Sequence, residues 1–280
     1  MNDRSLLRAI GWYRAPVIAV GLLASLLFFV PFLVVVATSW TSGSFILFPP
    51  TGFSLQWYAT VLTDRQWLNS FWLSVVVAVI ATAASVVLGT LGALGLTRVR
   101  SRALQRWVRT LFIAPIALPP IAYAVGLWSV DRQLPFLDDT LVSLVLGETL
   151  LAVPYVFALV SSALAGGDPS LRPAASTLGA SWPMILWRIE LPPLLPSILG
   201  GALFAFTVVF DEVVLSVLLL PPGTQTLPLK MFTASQEAFS PELTAASTMV
   251  SLLAIVVLGG AQLGSNRRNR AARLRRKASA

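Results

Sequence analysis

Three carboxylates stand where a carboxylate is costly: Glu148, Asp211 and Glu212 each lie inside a run of residues otherwise apolar enough to cross a bilayer. An ionised acid in lipid is destabilising by several kcal/mol, so such a residue is a functional candidate by default. No basic residue shares those runs, which favours a cation, a proton or water as the partner. The alternative is a set of acids protonated or hydrogen-bonded at a helix interface. Other chemistry is excluded by residue type. The chain has no Cys and no His, which removes disulfides, zinc sites and Cys- or His-based catalysis. No G-x-x-x-x-G-K-[ST] run occurs and neither Lys230 nor Lys277 follows a glycine, so the chain has no P-loop of its own. No metal ligand set, catalytic residue or bound cofactor is expected.

A second candidate is mechanical. Residues Arg172 to Pro192, RPAASTLGASWPMILWRIELP, lie between two apolar runs, and Ser176, Thr177, Ser181, Arg188 and Glu190 make them too polar for a span. Gly166-Gly167-Asp168-Pro169-Ser170 forms a turn-rich entry, with Asp168 or Ser170 available as an N-cap. Gly179 supplies a break before a second short helix ending at Arg188, and the pair is expected to form a knob with its helices near a right angle. Ala174, Ala175 and Gly179 would allow close docking in a groove. Ile189 and Leu191 would pack the knob against its own spans, and Pro192 would join it to the next span as a lever. The bland alternative is an ordinary hairpin.

The elements that must position these residues follow from composition. Hydrophobic residues make up 56% and charged residues 11% of 280, and mean hydropathy is +0.79, too few polar groups to cover a soluble globule of this size. An all-α polytopic membrane protein with six transmembrane helices results, at about 16–37, 68–96, 110–130, 140–164, 194–220 and 243–263. The first run is expected to be a retained helix: it is as long as a bilayer crossing and lacks a small-residue cleavage site. FSLQWYATVL, Phe53 to Leu62, has helical spacing and is expected to lie along the outer surface as an aromatic belt. The second span is rich in Ala and Gly, which suits tight helix packing. The third holds Pro115, Pro119 and Pro120, which predict a kinked or broken helix facing the bundle interior, either lining a pathway or purely structural.

A formal net charge of +8 does not point to nucleic acid, because the basic residues sit in short clusters beside the spans. The N-terminus, residues 98–109, residues 165–190 and the tail 264–280 hold every basic residue except Arg65, Arg132 and Lys230. Both termini are therefore expected in the cytoplasm, along with the 168–192 loop. Glu148 lies eight residues from the outer end of span four, or ~12 Å. Asp211 lies fifteen residues from Pro196, ~22 Å up a core ~30 Å thick. All three acids are expected in the outer half. As helical neighbours, Asp211 and Glu212 would point about 100° apart, one toward the pathway and one toward a neighbouring helix.

The spacing Ala174-Ala175, Gly179, Ile189, Leu191-Pro192 resembles the EAA loop of bacterial ABC-importer permeases, with Pro173 in place of the motif's glutamate. With FAFTVVFDEVVLSVLL, Phe204 to Leu219, and TLPLKMF, Thr226 to Phe232, the chain resembles the polyamine-importer branch of the type I permeases, those for spermidine and putrescine, from about Phe53 to Leu263. In that branch an acidic pair follows the phenylalanine of span five, here Asp211-Glu212 after Phe210. The resemblance implies a type I importer transmembrane domain in the bacterial inner membrane, with no enzymatic activity of its own. It also implies two ATP-binding cassette subunits that bind ATP and Mg, an extracytoplasmic solute-binding protein, and a second six-helix permease. A heterodimer is expected and a homodimer is the alternative. Iron(III), thiamine, sulfate, phosphonate and opine-type solutes are alternative cargoes. A secondary transporter coupled through Glu148 and Asp211, and a membrane scaffold, are the rivals from other classes.

Overall fold

A computed structural model describes residues 3–256 and 259, apart from 139, 169, 238 and 239, with side chains from Pro16 onward. The described residues are helical with no β-strand: α1 Asp3–Thr38, α2 Gln56–Thr63, α3 Arg65–Leu96, α4 Arg102–Ala117, α5 Pro120–Asp131, α6 Leu141–Ala165, α7 Leu171–Thr177, α8 Trp182–Ile185, a π-helical turn Leu186–Glu190, α9 Leu191–Phe210, α10 Val214–Leu219 and α11 Leu227–Glu237. A further apolar helix, α12, spans Pro241–Val256. Four segments are long and apolar enough to cross a membrane: Pro16–Thr38, Arg65–Leu96, Leu141–Ala165 and Trp182–Phe210. The pair α4 and α5 makes a fifth if counted as one broken span. The remainder of the expected sixth span and the basic tail 264–280 lie outside the described residues.

The chain divides into two units, residues 66–232 and residues 1–65 with 233–280. In the second of these, α1 is an apolar rod ending in Thr38, whose hydroxyl donates back to Val34 O at 2.9 Å. The following turn is held to α2 by Ser39 Oγ and Tyr58 Oη at 2.6 Å, and by Trp57 Nε1 donating to Thr41 O at 2.9 Å. The helix expected over Phe53 to Leu62 is thus present, starting three residues later at Gln56.

In the unit 66–232, α6 is central and packs against α4, α5, α9 and α10. Its Val156 sits between Gly89 of α3 and Gly201 of α9. A Cβ on Gly89 would lie 2.8 Å from Val156 Cβ, and one on Gly201 would lie 3.0 Å from Val156 Cα. Removing two side chains lets three backbones close around one valine, the packing expected where lipid leaves helices no hydrophobic drive to associate. Phe112 of α4 stacks on Phe157, with ring centroids 4.5 Å apart, and Ser85 of α3 donates to Thr149 O of α6 at 3.0 Å.

The third expected span differs from a simple kinked helix. α4 begins at Arg102, capped by Ser101 Oγ, and bends by 105° into α5. Leu118 at the bend is extended (ψ 138°), the conformation forced on a residue preceding proline, and neither Pro119 nor Pro120 has an N–H to continue the ladder.

Candidate functional site

The acidic pair does not lie on a continuous helix. The expected span 194–220 stops at Phe210, and α10 begins only at Val214, so the expected 100° separation of Asp211 and Glu212 on one helix is corrected. Asp211 closes α9 by donating its backbone N–H to Thr207 O at 3.2 Å, and its side chain is exposed. Glu212 turns back on the chain: its Oε1 accepts from Val214 N at 2.6 Å and from Leu215 N at 3.1 Å. A new helix start presents N–H groups with no partner, and a carboxylate satisfies two of them and complements the positive end of the helix. The Glu212 carboxylate thus offers the backbone partners that replace the helical ladder at the break.

α10, once capped, packs on α5 and α6. Leu215 and Leu219 of α10, with Leu127 of α5, meet α6 at Gly147. Tyr123 of α5 donates its hydroxyl to Gly147 O at 2.8 Å. The next residue is Glu148, 1% exposed, whose Oε2 has no hydrogen-bond partner. Glu212 lies within electrostatic reach of both Glu148 and Tyr123. Tyr123 joins α5 to α6 one residue before Glu148, while Asp211 is exposed at the end of α9. Ser216 of α10 accepts from Thr226 Oγ1 at 3.0 Å, and Leu227 N donates to Ser74 Oγ of α3 at 2.7 Å, so the break is tied to the helix at its back. Tyr123 was missed in the sequence. Its only signal was its place just after the Pro119-Pro120 break.

The second candidate lies at the other end of α9. α7 ends at Thr177 and Gly179 turns the chain with φ +78°. This is a left-handed conformation that glycine adopts without a Cβ penalty. The second short helix was expected to stop at Arg188. Instead α8, the π-helical turn and α9 form one continuous rod from Trp182 to Phe210. Prolines 192 and 193 supply no N–H to the carbonyls four residues back, and the backbone widens so that Leu191 N donates to Leu186 O. Pro192 is thus inside the rod rather than at a joint.

Ala174 and Gly179 are exposed, Ala175 is buried, Ile189 and Leu191 are half-buried, and Pro192 is exposed. Asp168 Oδ1 accepts from Ser170 N at 2.9 Å and from Ser170 Oγ at 2.7 Å, so Asp168 orders the entry turn while Ser170 is the N-cap by position. The Ser170 hydroxyl and then its N–H hold the Asp168 carboxyl below its ordinary range.

A small ion network, unmarked by the sequence spacing, ties this segment down. Glu190, with its side chain 15% exposed, faces Arg98 at 3.8 Å and Arg172 at 3.6 Å, and the Arg98 guanidinium lies 4.9 Å above the Trp182 ring. Arg98 follows α3, Arg172 is in α7, and Trp182 begins α8. These contacts join α7, α8 and the π-helical turn to the residue that follows α3.

The described residues include helices long and apolar enough to cross a membrane, with an acidic break in one of them and a short helix pair at the end of another. Residues 85–271 match the family described as the binding-protein-dependent transport system inner membrane component, and the chain belongs to that family. It is 31% identical to the spermidine/putrescine transport system permease protein PotC of Haemophilus influenzae (strain ATCC 51907 / DSM 11121 / KW20 / Rd), over 86% of this chain and 93% of that one. It is 28% identical to the putrescine transport system permease protein PotI of Escherichia coli (strain K12), over 86% of this chain and 87% of that one. Among solved structures, a bacterial ABC transporter involved in the import of the acidic polysaccharide alginate superposes with TM-score 0.74 at 16% identity, covering 94% of this chain and 99% of that one. The fold is that of a type I importer transmembrane domain, and the protein is a multi-pass membrane permease.

Proposed function

We propose that this chain forms half of the translocation pathway of an ATP-driven importer for a polyamine or another small organic cation. The observation that carries the cargo class is Glu148: a carboxyl closed off from water, one oxygen without a partner, and a second acid, Glu212, nearby. Burying such a group unpaired is costly, and an ammonium group that reaches it recovers the lost interaction. The names of the relatives support the same class, since both concern polyamines. Because Glu148 is sealed in this conformation, cargo reaches it only when α10 or the α4–α5 bend shifts, as an alternating-access cycle requires. Asp211, exposed at the end of α9, is proposed to meet the cargo first.

Leu171 to Pro192 is proposed as the docking knob for a nucleotide-hydrolysing partner, with Ala174 and Gly179 at the contact and Ala175, Ile189 and Leu191 packed within the chain. Two such partners, each binding ATP and Mg, a second permease and an extracytoplasmic solute-binding protein complete the proposed assembly. The clustering of basic residues supports placing the knob and both termini in the cytoplasm.

Uptake of labelled putrescine and spermidine by cells expressing the complete transporter tests the reading. Glu148→Gln should lower uptake kcat/KM at least tenfold with normal membrane insertion, and ATP depletion should abolish uptake in the unmodified cells. Unchanged uptake in Glu148→Gln removes the acid from the pathway. Uptake sustained by an ion gradient without ATP overturns the importer reading, and uptake of an anionic phosphonate in preference to amines overturns the cargo class.

A further inference from the structure

At the end of the bundle that carries the knob, a cavity of about 300 Å3 opens between α3, α4 and α6, bordered by Thr97, Gln105, Arg106, Arg109, Ser161 and Leu164. Its polar border is cationic. Arg106 and Arg109 are nearly one turn apart on α4, and neither forms an ion pair among the described residues. No acid borders the cavity. Ser161 is 9% exposed, and its hydroxyl oxygen is buried without a hydrogen-bond partner. Gln105 is already committed, donating to Val99 O at 2.6 Å. Arg106 Nε donates to Arg102 O at 3.5 Å, which leaves its terminal nitrogens to act with the Arg109 guanidinium and the unpartnered Ser161 hydroxyl. Such a set suits the oxygens of a phosphate, which planar guanidinium forks bind in a bidentate manner.

The source of that phosphate follows from the other side of the same helix. Arg102, Arg106 and Arg109 follow one another at helical spacing, and Leu104, Trp107 and Leu111 occupy the opposite side of α4, with Trp107 74% exposed. A short helix with arginines on one side and Trp and Leu on the other suits the boundary between acyl chains and headgroups. Ala93, Leu96 and Leu164 add an apolar border to the cavity itself. We propose that this cavity is a headgroup site for an anionic phospholipid, its phosphodiester held by Arg106 and Arg109 and by the Ser161 hydroxyl. Basic pockets between spans take such headgroups by the same chemistry. A lipid seated there bridges α4 to α6 beside the bend into α5, so the transport rate should rise with the anionic lipid content of the membrane.

The test uses the purified complete transporter and fluorescent phosphatidylglycerol, with fluorescent phosphatidylcholine as the comparison. Phosphatidylglycerol should bind in preference, and the double variant Arg106→Gln/Arg109→Gln should weaken it about tenfold or more while leaving phosphatidylcholine unchanged. Ser161→Ala should weaken it about threefold. Arg102→Gln, on the same helix but outside the cavity, should change it less than about twofold. An equal affinity for the two lipids, or as large a loss in Arg102→Gln as in the double variant, overturns the site. Competition by soluble glycerol phosphate on the unmodified transporter needs no variant. Full displacement at millimolar concentration would transfer the cavity to a free phosphate and overturn the lipid assignment.

Discussion

Glutamine at position 148 separates the cost of a buried carboxyl from its use. Glu148 has one oxygen without a partner and is sealed from solvent, so an uncharged isostere should leave thermal stability unchanged or higher while uptake falls. A fall in melting temperature of the assembled transporter alongside the loss of uptake would assign Glu148 a structural role instead. Glu212 predicts the opposite pattern. Its Oε1 caps two backbone N–H groups of α10, so Glu212→Ala should destabilise that turn by about 1 kcal/mol, seen as faster amide exchange at Val214 and Leu215. Exchange unchanged at both positions would refute the cap.

Gly179 is a conformational requirement rather than a steric one: a Cβ there would meet nothing within 4 Å, but φ is +78°. Gly179→Ala should cost about 1 kcal/mol and Gly179→Asn less, because asparagine tolerates the left-handed region. Equal melting temperatures for the two variants would contradict this. At this scale the sequence showed which acids were out of place, since an acid in an apolar run stands out by type alone. It did not show that Glu212 serves as a cap, because that role depends on where the helix breaks.

Among the elements, α6 depends on the absence of side chains from its neighbours. A Cβ on Gly89 would lie 2.8 Å from Val156 Cβ and 3.0 Å from the Phe157 backbone N, and one on Gly201 3.0 Å from Val156 Cα with its next contacts at 3.4 Å, so Gly89→Leu should reduce the amount of folded protein more severely. Quantitative immunoblotting of detergent-stable transporter checks the order, and an inverted order would refute the packing. The Glu190 network is different in kind. Half-exposed ion pairs add little to stability, about 0–1 kcal/mol, so Glu190→Gln should leave the melting temperature nearly unchanged. What it should lower is the amount of substrate moved per ATP hydrolysed, because Arg98 after α3 then keeps only its contact with the Trp182 ring. A preserved ratio would leave the network without a mechanical role.

The apolar runs made α3, α6 and the apolar part of α1, Pro16–Thr38, legible to within a few residues, since length and composition alone decide whether a helix crosses a bilayer; the helix of α1 itself starts thirteen residues earlier, at Asp3. The elements around proline were less so. Pro119-Pro120 announced a break but not a bend of 105°, and Pro192, expected as the joint to the next span, lies in a rod that accommodates it by widening into a π-helical turn. A proline fixes what the backbone cannot donate. Neighbouring packing decides whether the helix stops, bends or widens.

For the whole molecule, the central proposal is that the knob between α6 and α9 receives force from nucleotide turnover in a partner chain and passes it along one unbroken rod toward the acidic break. The chain offers a clean probe, because it contains no cysteine and Leu178, beside Gly179 at the tip of the knob, is 88% exposed. A Leu178→Cys variant carrying a maleimide photo-crosslinker in the assembled transporter should join to the ATP-binding subunit, with a yield that changes between nucleotide-free and ATP-bound states. Labelling of that cysteine by a membrane-impermeant reagent from the outer medium, or no crosslink to a nucleotide-binding chain in a transporter that still imports its substrate, would contradict it.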